Sequence, residues 1–410
     1  MLVGGLGTYA GYITREFVKK GHDVTVLSLN PGNLPTREVT QGVEVHRPKL
    51  VNISNVFPLF VTEDIIKWGP QIRFFNDVLV YNVLSTAKFV NQLEKKLKLE
   101  HSIVAFHDWL SALSGISIKN ELPRIPSIFH VHSTEWGRSG EGSRIISHLE
   151  LEASRSVDRI ITVSYAMKDD LEKHGWPSDK ISVVWNGIDI DTYDPAKAPV
   201  EKVKEIRKFY EIADDENMLL FIGRLTWIKG IANLIQAMPD VLAEHPKTKL
   251  VILGKGEQQD YIIELAERLG IKKNIKVRYE FIPEDERILH YAACDAAVFP
   301  STYEPFGIVC LEAMAMEKPV VVGANGVVGF REQVVPSGPD QCGIHVNGNE
   351  PTDIGWGIKA MLGNPGDAKR WGINGRRRAE KYFTWEMVAN QTLEIYSKLV
   401  QSNADHVPRG

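Results

Sequence analysis

The strongest constraint on the fold is an alternation that occurs twice. Short Val/Ile-rich runs bounded by turn residues, followed in most cases by longer amphipathic stretches, fill the first half of the chain and then the second. A buried parallel strand reads as a brief apolar run, and the return to its neighbour needs a crossover, usually a helix. The alternation therefore predicts βαβ units and parallel sheets. In the first half the predicted strands are 22–29 (HDVTVLSL), 43–47, 102–107, 126–132, 158–164 and 181–186. In the second they are 218–223, 249–254, 275–280, 296–300 and 319–323, with helices near 231–245, 257–269, 284–292 and 307–316. A chain of 410 residues has room for two such doubly wound domains, each with its own core. Between them the stretch WNGIDIDTYDPAKAPV is rich in Asp, Pro and Gly and has no periodicity, which suits a linker. The expected domains are 1–195 and 196–384, followed by an amphipathic helix at about 385–402.

Composition narrows the partners. A formal charge of -4 excludes a strongly basic nucleic-acid footprint. The longest apolar runs, such as 219–222 and 319–323, are far too short to cross a bilayer, so a cytoplasmic protein without a transmembrane segment is expected. Cys294, Cys310 and Cys342 match neither a zinc pattern nor a disulfide framework, which fits a reducing compartment. The closing VPRG is set aside from fold reasoning.

In open α/β sheets ligands sit beyond the carboxyl ends of the strands, and the unusual residues fall there. The first stretch is PSTYEPFGIVCLEAMAMEKPVVV, a strand end, a polar loop with Glu304, then Phe306, Gly307 and Ile308 opening a helix that carries Glu312. Gly307 lets a ligand approach the backbone, and the free N–H groups at a helix start favour an anion such as phosphate. Glu312 lies about 7 to 8 Å further along the helix. A carboxylate on each side of an anion site suits a ligand with a sugar on each side of a diphosphate. An N-capping Glu and a solvated helix Glu are the plainer alternative. The second stretch, FIGRLTWIKGIANLI, places Arg224 and Lys229 between strand and helix, where cations neutralise a diphosphate. Solvated strand-end cations are the alternative.

The third is IFHVHSTEWGR, in which His130 and His132 share one face of a strand end. That spacing admits a metal pair, but no third ligand stands at a recognisable spacing. Glu135, Trp136 and Arg138 follow in the next loop, and His107, Asp108 and Trp109 end an earlier strand. The two tryptophans suit either sugar stacking or a core plug. The fourth is the opening VGGLG, where Gly4, Gly5 and Leu6 precede an expected helix at 8–20. Asp189 and Asp191 have the Asp-x-Asp form of metal-dependent transferases, but they fall in the linker.

These motifs, in order from Gly4 to about Trp385, resemble those of the retaining GT-B glycosyltransferases, the superfamily of glycogen and starch synthases and sucrose synthases. The resemblance implies two facing Rossmann-like domains with a deep cleft and a last helix that returns to the N-terminal domain. It implies a nucleoside diphosphate sugar donor and a carbohydrate acceptor, with an α-glucan preferred because Gly-Gly-Leu-Gly and His-Asp-Trp resemble the glycogen synthase branch. It assigns Glu304 and His132 to the transferred sugar and Glu312 to the ribose. Arg224, Lys229 and the Gly4-Gly5-Leu6 loop fall on the phosphates, and Gly254, Phe306, Gly307 and Ile308 elsewhere on the donor. His107, Asp108, Trp109, Glu135, Trp136 and Arg138 fall on the acceptor side. No metal or other cofactor is implied. A lipid, disaccharide-forming or small-metabolite acceptor, and an inactive nucleotide-sugar-binding protein, are the alternatives. Val3 stands where those enzymes usually carry a Lys ahead of the glycines, which shifts charge compensation onto Arg224 and Lys229.

Only Met1, Leu2 and Val3 precede the glycines. The first strand of a doubly wound sheet is central, so the expectation is a slot between its two neighbours with unpaired ladder groups. The full protein is accordingly expected to begin upstream of Met1, with the present chain weakened in stability.

Overall fold

The computed structural model describes residues 4–52, 71–96, 101–140 and 142–405. The chain divides into two compact units, one of residues 1–162, 171–184 and 389–410, the other of 163–170 and 185–388. The segment read as a linker thus clusters with the second unit, and the division falls near 185 rather than 195.

In the first half, α1 (Gly4–Lys19) leads to β1 (Val24–Leu27), β2 (Arg37–Thr40), β3 (Val43–His46) and α2 (Gln71–Lys88). There follow β4 (Val104–His107), α3 (Asp108–Glu121), β5 (Ser127–Val131), α4 (Glu135–Ser139), α5 (Arg144–Ser156), β6 (Arg159–Thr162), α6 (Tyr165–Lys173) and β7 (Ile181–Val183). One sheet has the order β1-β3-β2 and a second the order β4-β5-β6-β7, all parallel except the β2–β3 pair. β5 runs between β4 and β6 and is buried along its length, as SIFHV suggests for a central parallel strand. β2 was not expected from the sequence. REVT has no apolar face to signal a strand and is mostly exposed in the fold, held by pairing to β3 across the Gln41-Gly42 turn.

Among the described residues no strand pairs with β1 on one side or β4 on the other across the break between the two sheets. Both strands are only partly buried, unlike β5. Leu27 and Val104 nonetheless pack on one cluster around Phe89, Ile118 and Ile125. Side chains occupy two ladder groups there: Tyr81 donates to the Leu27 carbonyl at 2.9 Å, and the His107 N–H donates to Ser111 Oγ at 2.6 Å. These bonds soften the cost of unpaired backbone groups.

The second half contains α7 (Val200–Phe209), β8 (Asn217–Ile222), α8 (Ile231–Glu244), β9 (Thr248–Leu253), α9 (Gln259–Arg268), β10 (Ile275–Arg278) and α10 (Glu284–Ala293). It continues through β11 (Ala296–Phe299), α11 (Ile308–Ala315), β12 (Val320–Gly323), α12 (Phe330–Gln333), β13 (Gly343–Val346), α13 (Pro351–Leu362) and α14 (Pro365–Tyr382). The last helix, α15 (Trp385–Asp405), belongs to the first unit from Ala389 onward. Six parallel strands form one sheet in the order β10-β9-β8-β11-β12-β13, the doubly wound order in which the first strand is central. Leu219 and Phe221 of β8 are buried with Ile235 and Met238 of α8 and Ile354 and Ile358 of α13 in one core cluster. β13 escaped sequence reading because its four residues are wedged between turn-rich segments. No helix among the described residues is long and apolar enough to cross a membrane.

Candidate active site

In the second unit strand order reverses between β8 and β11, so the loops after these two strands flank the crevice where doubly wound sheets bind ligands. Arg224 and Lys229 follow β8, and Glu304 follows β11. The two loops are pressed together. Gly230 has φ +69°, and a Cβ there would stand 2.0 Å from the Pro300 carbonyl oxygen, so only glycine fits. The Ile228 carbonyl accepts from the Thr302 N–H at 2.9 Å and the Tyr303 N–H at 3.3 Å. This junction brings the Lys229 ammonium onto the Glu304 carboxylate as a hydrogen-bonded ion pair, both side chains nearly enclosed. Arg224, earlier in the loop that carries Lys229, is exposed and makes no ion pair among the described residues.

The Glu304 backbone is fixed as well, its N–H donating to Val327 and its carbonyl accepting from Gly329 at 2.7 Å. Three residues on, Gly307 has φ +87° and caps α11 without help from any side chain. A Cβ on Gly307 would lie 2.1 Å from Phe330 and 2.8 Å from Glu304 Cγ. The α11 N-terminus therefore presents backbone N–H groups beside a Lys–Glu pair, a setting for an anion with a hydroxylated neighbour.

Glu312 is buried within α11, and its carboxylate accepts from Tyr193 at 2.9 Å, Tyr291 at 2.9 Å and Arg287 at 3.2 Å. Burial and the Glu312 charge push both tyrosine hydroxyls above their usual range, so they stay protonated donors. Tyr193, Tyr291 and Arg287 carry no motif and were not singled out in the sequence. Two other expectations change. Phe306 is a core side chain, 2% exposed, and its carbonyl accepts from the buried Gln333 at 2.6 Å. Gly254 uses its N–H on the Arg278 carbonyl, and a Cβ there would meet the Gly223 carbonyl oxygen at 1.8 Å; its first task is to let two strand-end loops touch. Ile308 is half-buried at the first turn of α11. Asp189 spends its carboxylate on the Asp191 and Thr192 N–H groups and the Thr192 hydroxyl, so the Asp-x-Asp pattern marks a turn.

In the first unit, parallel register sets His107 of β4 opposite His130 of β5, and His132 lies two residues further on the same face. The rings of His107 and His130 stack at 4.6 Å between centroids and those of His107 and His132 at 5.4 Å; His107 Nδ1 is 3.1 Å from His132 Nε2. This supplies the third histidine that spacing along the chain did not reveal, because a cross-strand neighbour is invisible to local spacing. Tyr9 of α1 lies against all three rings, and His130 also bonds Tyr396 of α15 at 2.7 Å. Burial holds His107 down to about 3 and His132 to about 4, so both imidazoles are neutral at pH 7.

Asp108 is buried with φ +51° and accepts from the His132 and Ser133 N–H groups, the former at 2.7 Å, so it orients the loop that carries His132. Arg138 stands between the carboxyl groups of Asp108 (4.0 Å), Glu135 (3.8 Å) and Glu150 (3.7 Å). Glu150 takes the Glu135 N–H on both oxygens, and burial pushes its carboxyl up to about 8. Glu150 was missed, yet a signal existed: it shares the buried face of α5 with Ile146, Ala153 and Ser154 at helical spacing.

Two sugar-stacking expectations are corrected or constrained. Trp109 is 7% exposed and packs with Val78 and Ile146 against Phe75, a core plug whose faces are taken. Trp136 is half-buried, with one face stacked on His174 at 4.4 Å. The opening glycines also differ from expectation. Gly4, Gly5 and Leu6 form the first turn of α1, which begins four residues before the expected helix start, so no separate glycine loop is present among the described residues.

The fold and these sites define a glycosyltransferase, and comparison with known proteins bears this out. Residues 202–378 match the family model "Glycosyl transferases group 1", and residues 3–192 match "Glycosyltransferase Family 4". The chain is 32% identical over 404 residues to the uncharacterized glycosyltransferase MJ1607 of Methanocaldococcus jannaschii, covering 96% of this chain and 94% of that one. It is 30% identical over 433 residues to the glycogen synthase of Mycobacterium tuberculosis, covering 100% and 94%. The structure of sucrose-phosphate synthase from Thermosynechococcus elongatus superposes with TM-score 0.77 at 22% identity, covering 97% of this chain and 94% of that one. The chain belongs to the GT-B glycosyltransferases of the glycogen synthase superfamily.

Proposed function

We propose that the protein transfers a hexosyl group, preferably glucosyl, from a nucleoside diphosphate sugar to a hydroxyl of an α-glucan, with retention of anomeric configuration. The observation that carries this reading is the Lys229–Glu304 pair beside the uncapped α11 N-terminus at the switch point of the second unit. Similarity to a glycogen synthase over the full chain supports the acceptor.

The donor diphosphate takes the place of Glu304 as the partner of Lys229, joined by Arg224 and the α11 N–H groups. The carboxylate of Glu304, released from its ion pair, then accepts hydrogen bonds from the sugar. Glu312 keeps lone pairs beyond those used by Tyr193, Tyr291 and Arg287, enough for ribose hydroxyls. His132 contributes a neutral imidazole, which donates one hydrogen bond without adding charge. In the reaction the bond from the anomeric carbon to the phosphate oxygen breaks and a bond to the acceptor oxygen forms on the same face. The acceptor proton passes to the leaving phosphate. The protein's part is electrostatic: fixed cations and N–H groups stabilise the charge that grows on the diphosphate. No metal enters this scheme, and transfer in EDTA is expected.

The test is release of nucleoside diphosphate from UDP-, ADP- and GDP-glucose in the presence of glycogen, with product anomericity read by NMR. Release with one donor, lost in Glu304→Ala, supports the reading. Donor binding without release under any acceptor would make the protein a nucleotide-sugar binder. Release only with a sugar phosphate, a lipid or another small acceptor in place of glycogen would overturn the glucan assignment.

A further inference from the structure

The cluster of His107, His130 and His132 has a geometry that its hydrogen bonds alone do not require. Three rings from two strand ends lie nearly parallel, with interplanar angles of 24°, 23° and 15°. One nitrogen from each lies within 4.8 Å of the others. Two imidazole nitrogens on one tetrahedral ion at bonds of about 2.0–2.1 Å stand roughly 3.3–3.4 Å apart. His107 Nδ1 and His132 Nε2, at 3.1 Å, are already at that separation. The widest pair has to close by up to roughly 1.4 Å, and since imidazole lone pairs lie in the ring planes, the stacked rings have to turn out of their stack to converge on one ion.

The surroundings fit a cation. A metal-bound imidazole is usually fixed through its other nitrogen by an oxygen partner. His130 has that partner in Tyr396, and its contact with Tyr9 is longer, at 3.4 Å. The carboxyl groups of Asp108, Glu135 and Glu150 surround the guanidinium of Arg138; Glu150 is held protonated, and the Asp108 carboxyl lies one residue from His107. Three imidazoles without a thiolate or a set of oxygen ligands select borderline dications such as Zn²⁺, Ni²⁺ or Cu²⁺ over Mg²⁺ or Ca²⁺.

We propose that His107, His130 and His132 form a binding site for one Zn²⁺-class dication in the first unit. Its consequence for catalysis rests on the reading of His132 above: an ion held by that ring competes with the sugar for it, so Zn²⁺ inhibits transfer.

Binding is read without activity, by calorimetry with Zn²⁺ and by the visible absorption of Co²⁺ in a tetrahedral site, on the full chain. One ion per chain is expected. His107→Gln and His130→Gln are each expected to weaken it at least tenfold, with folding checked by circular dichroism, whereas His148→Gln, on the exposed face of α5, leaves it unchanged. If His130→Gln fails to fold, His107→Gln at its part-exposed position decides the matter. No uptake by the wild type, or uptake unaltered in the folded variants, overturns the site. Uptake lost in the variants but without inhibition of transfer in the wild type leaves the metal site standing and removes His132 from the sugar.

Discussion

The two units follow one sheet plan and complete it differently. In the second, β8 lies between β9 and β11, and Met218 through Phe221 have essentially no exposed surface. In the first, the strands that hold the equivalent flanking places, β1 and β4, are unpaired on their facing sides among the described residues and keep partial exposure. The chemistry at the strand ends differs as well. The second unit offers a Lys–Glu pair with an exposed Arg, and the first offers neutral imidazoles over a buried Asp108. A central buried strand gives a sheet a rigid switch point at which charges can be pressed together. Where no such strand stands among the described residues, side-chain bonds such as Tyr81 to Leu27 occupy ladder groups of the neighbours.

Stability and rate measurements on the two units test this contrast. Phe221→Ala in β8 is expected to destabilise the second unit by about 3–5 kcal/mol, as for a fully buried phenylalanine. Val26→Ala in β1 is expected to cost about 1 kcal/mol or less. Denaturant titration resolves both, and equal losses would mean that β1 is as central as β8. Next, Lys229→Ala is expected to lower kcat by about 10²- to 10³-fold with the melting temperature nearly unchanged. A fall in stability matching the fall in rate would make the ion pair a structural feature of the second unit.

Acid separates the units further. His107 and His132 bind protons near 6.5 when unfolded but only at about 3 and about 4 when folded. The unfolded state thus holds more protons between these values, and the first unit loses stability as pH falls from 6.5 toward 4. A loss of about 2 kcal/mol per histidine, about 4 kcal/mol for the pair, is expected between pH 7 and pH 5 and is roughly halved in His107→Gln; an unchanged slope in that variant would exclude His107 as a source. A further effect has the opposite sign. Glu150 titrates near 8 in the fold, above its unfolded value, so the folded state holds the extra proton and stability declines as pH rises through 5 to 8. Glu150→Gln should be more stable than the wild type at pH 8.5, read as a higher melting temperature, with most of that gain gone at pH 5.

Much of the fold was legible because its signals are local. The five predicted strands of the second half fall on β8 to β12, since short β-branched runs between turn residues have few other uses. Residues whose chemistry shows in a short stretch, Glu304, Gly307, Glu312, Arg224 and Lys229, were singled out for the same reason. The polar or very short strands β2 and β13 were not, because they exist through pairing rather than through their own composition.

The amino-acid order by itself determined two α/β halves, the strand-end placement of the charged residues and membership of a glycosyltransferase family. Tertiary structure alone decided which groups meet. It placed His107 beside His132, gave Glu304 to Lys229 and Glu312 to two tyrosines, put Trp109 into the core and wound the opening glycines into a helix. The physical reason is common to all of these. Strand register and loop packing join residues tens to more than a hundred positions apart, and no periodicity along the chain encodes such a pairing.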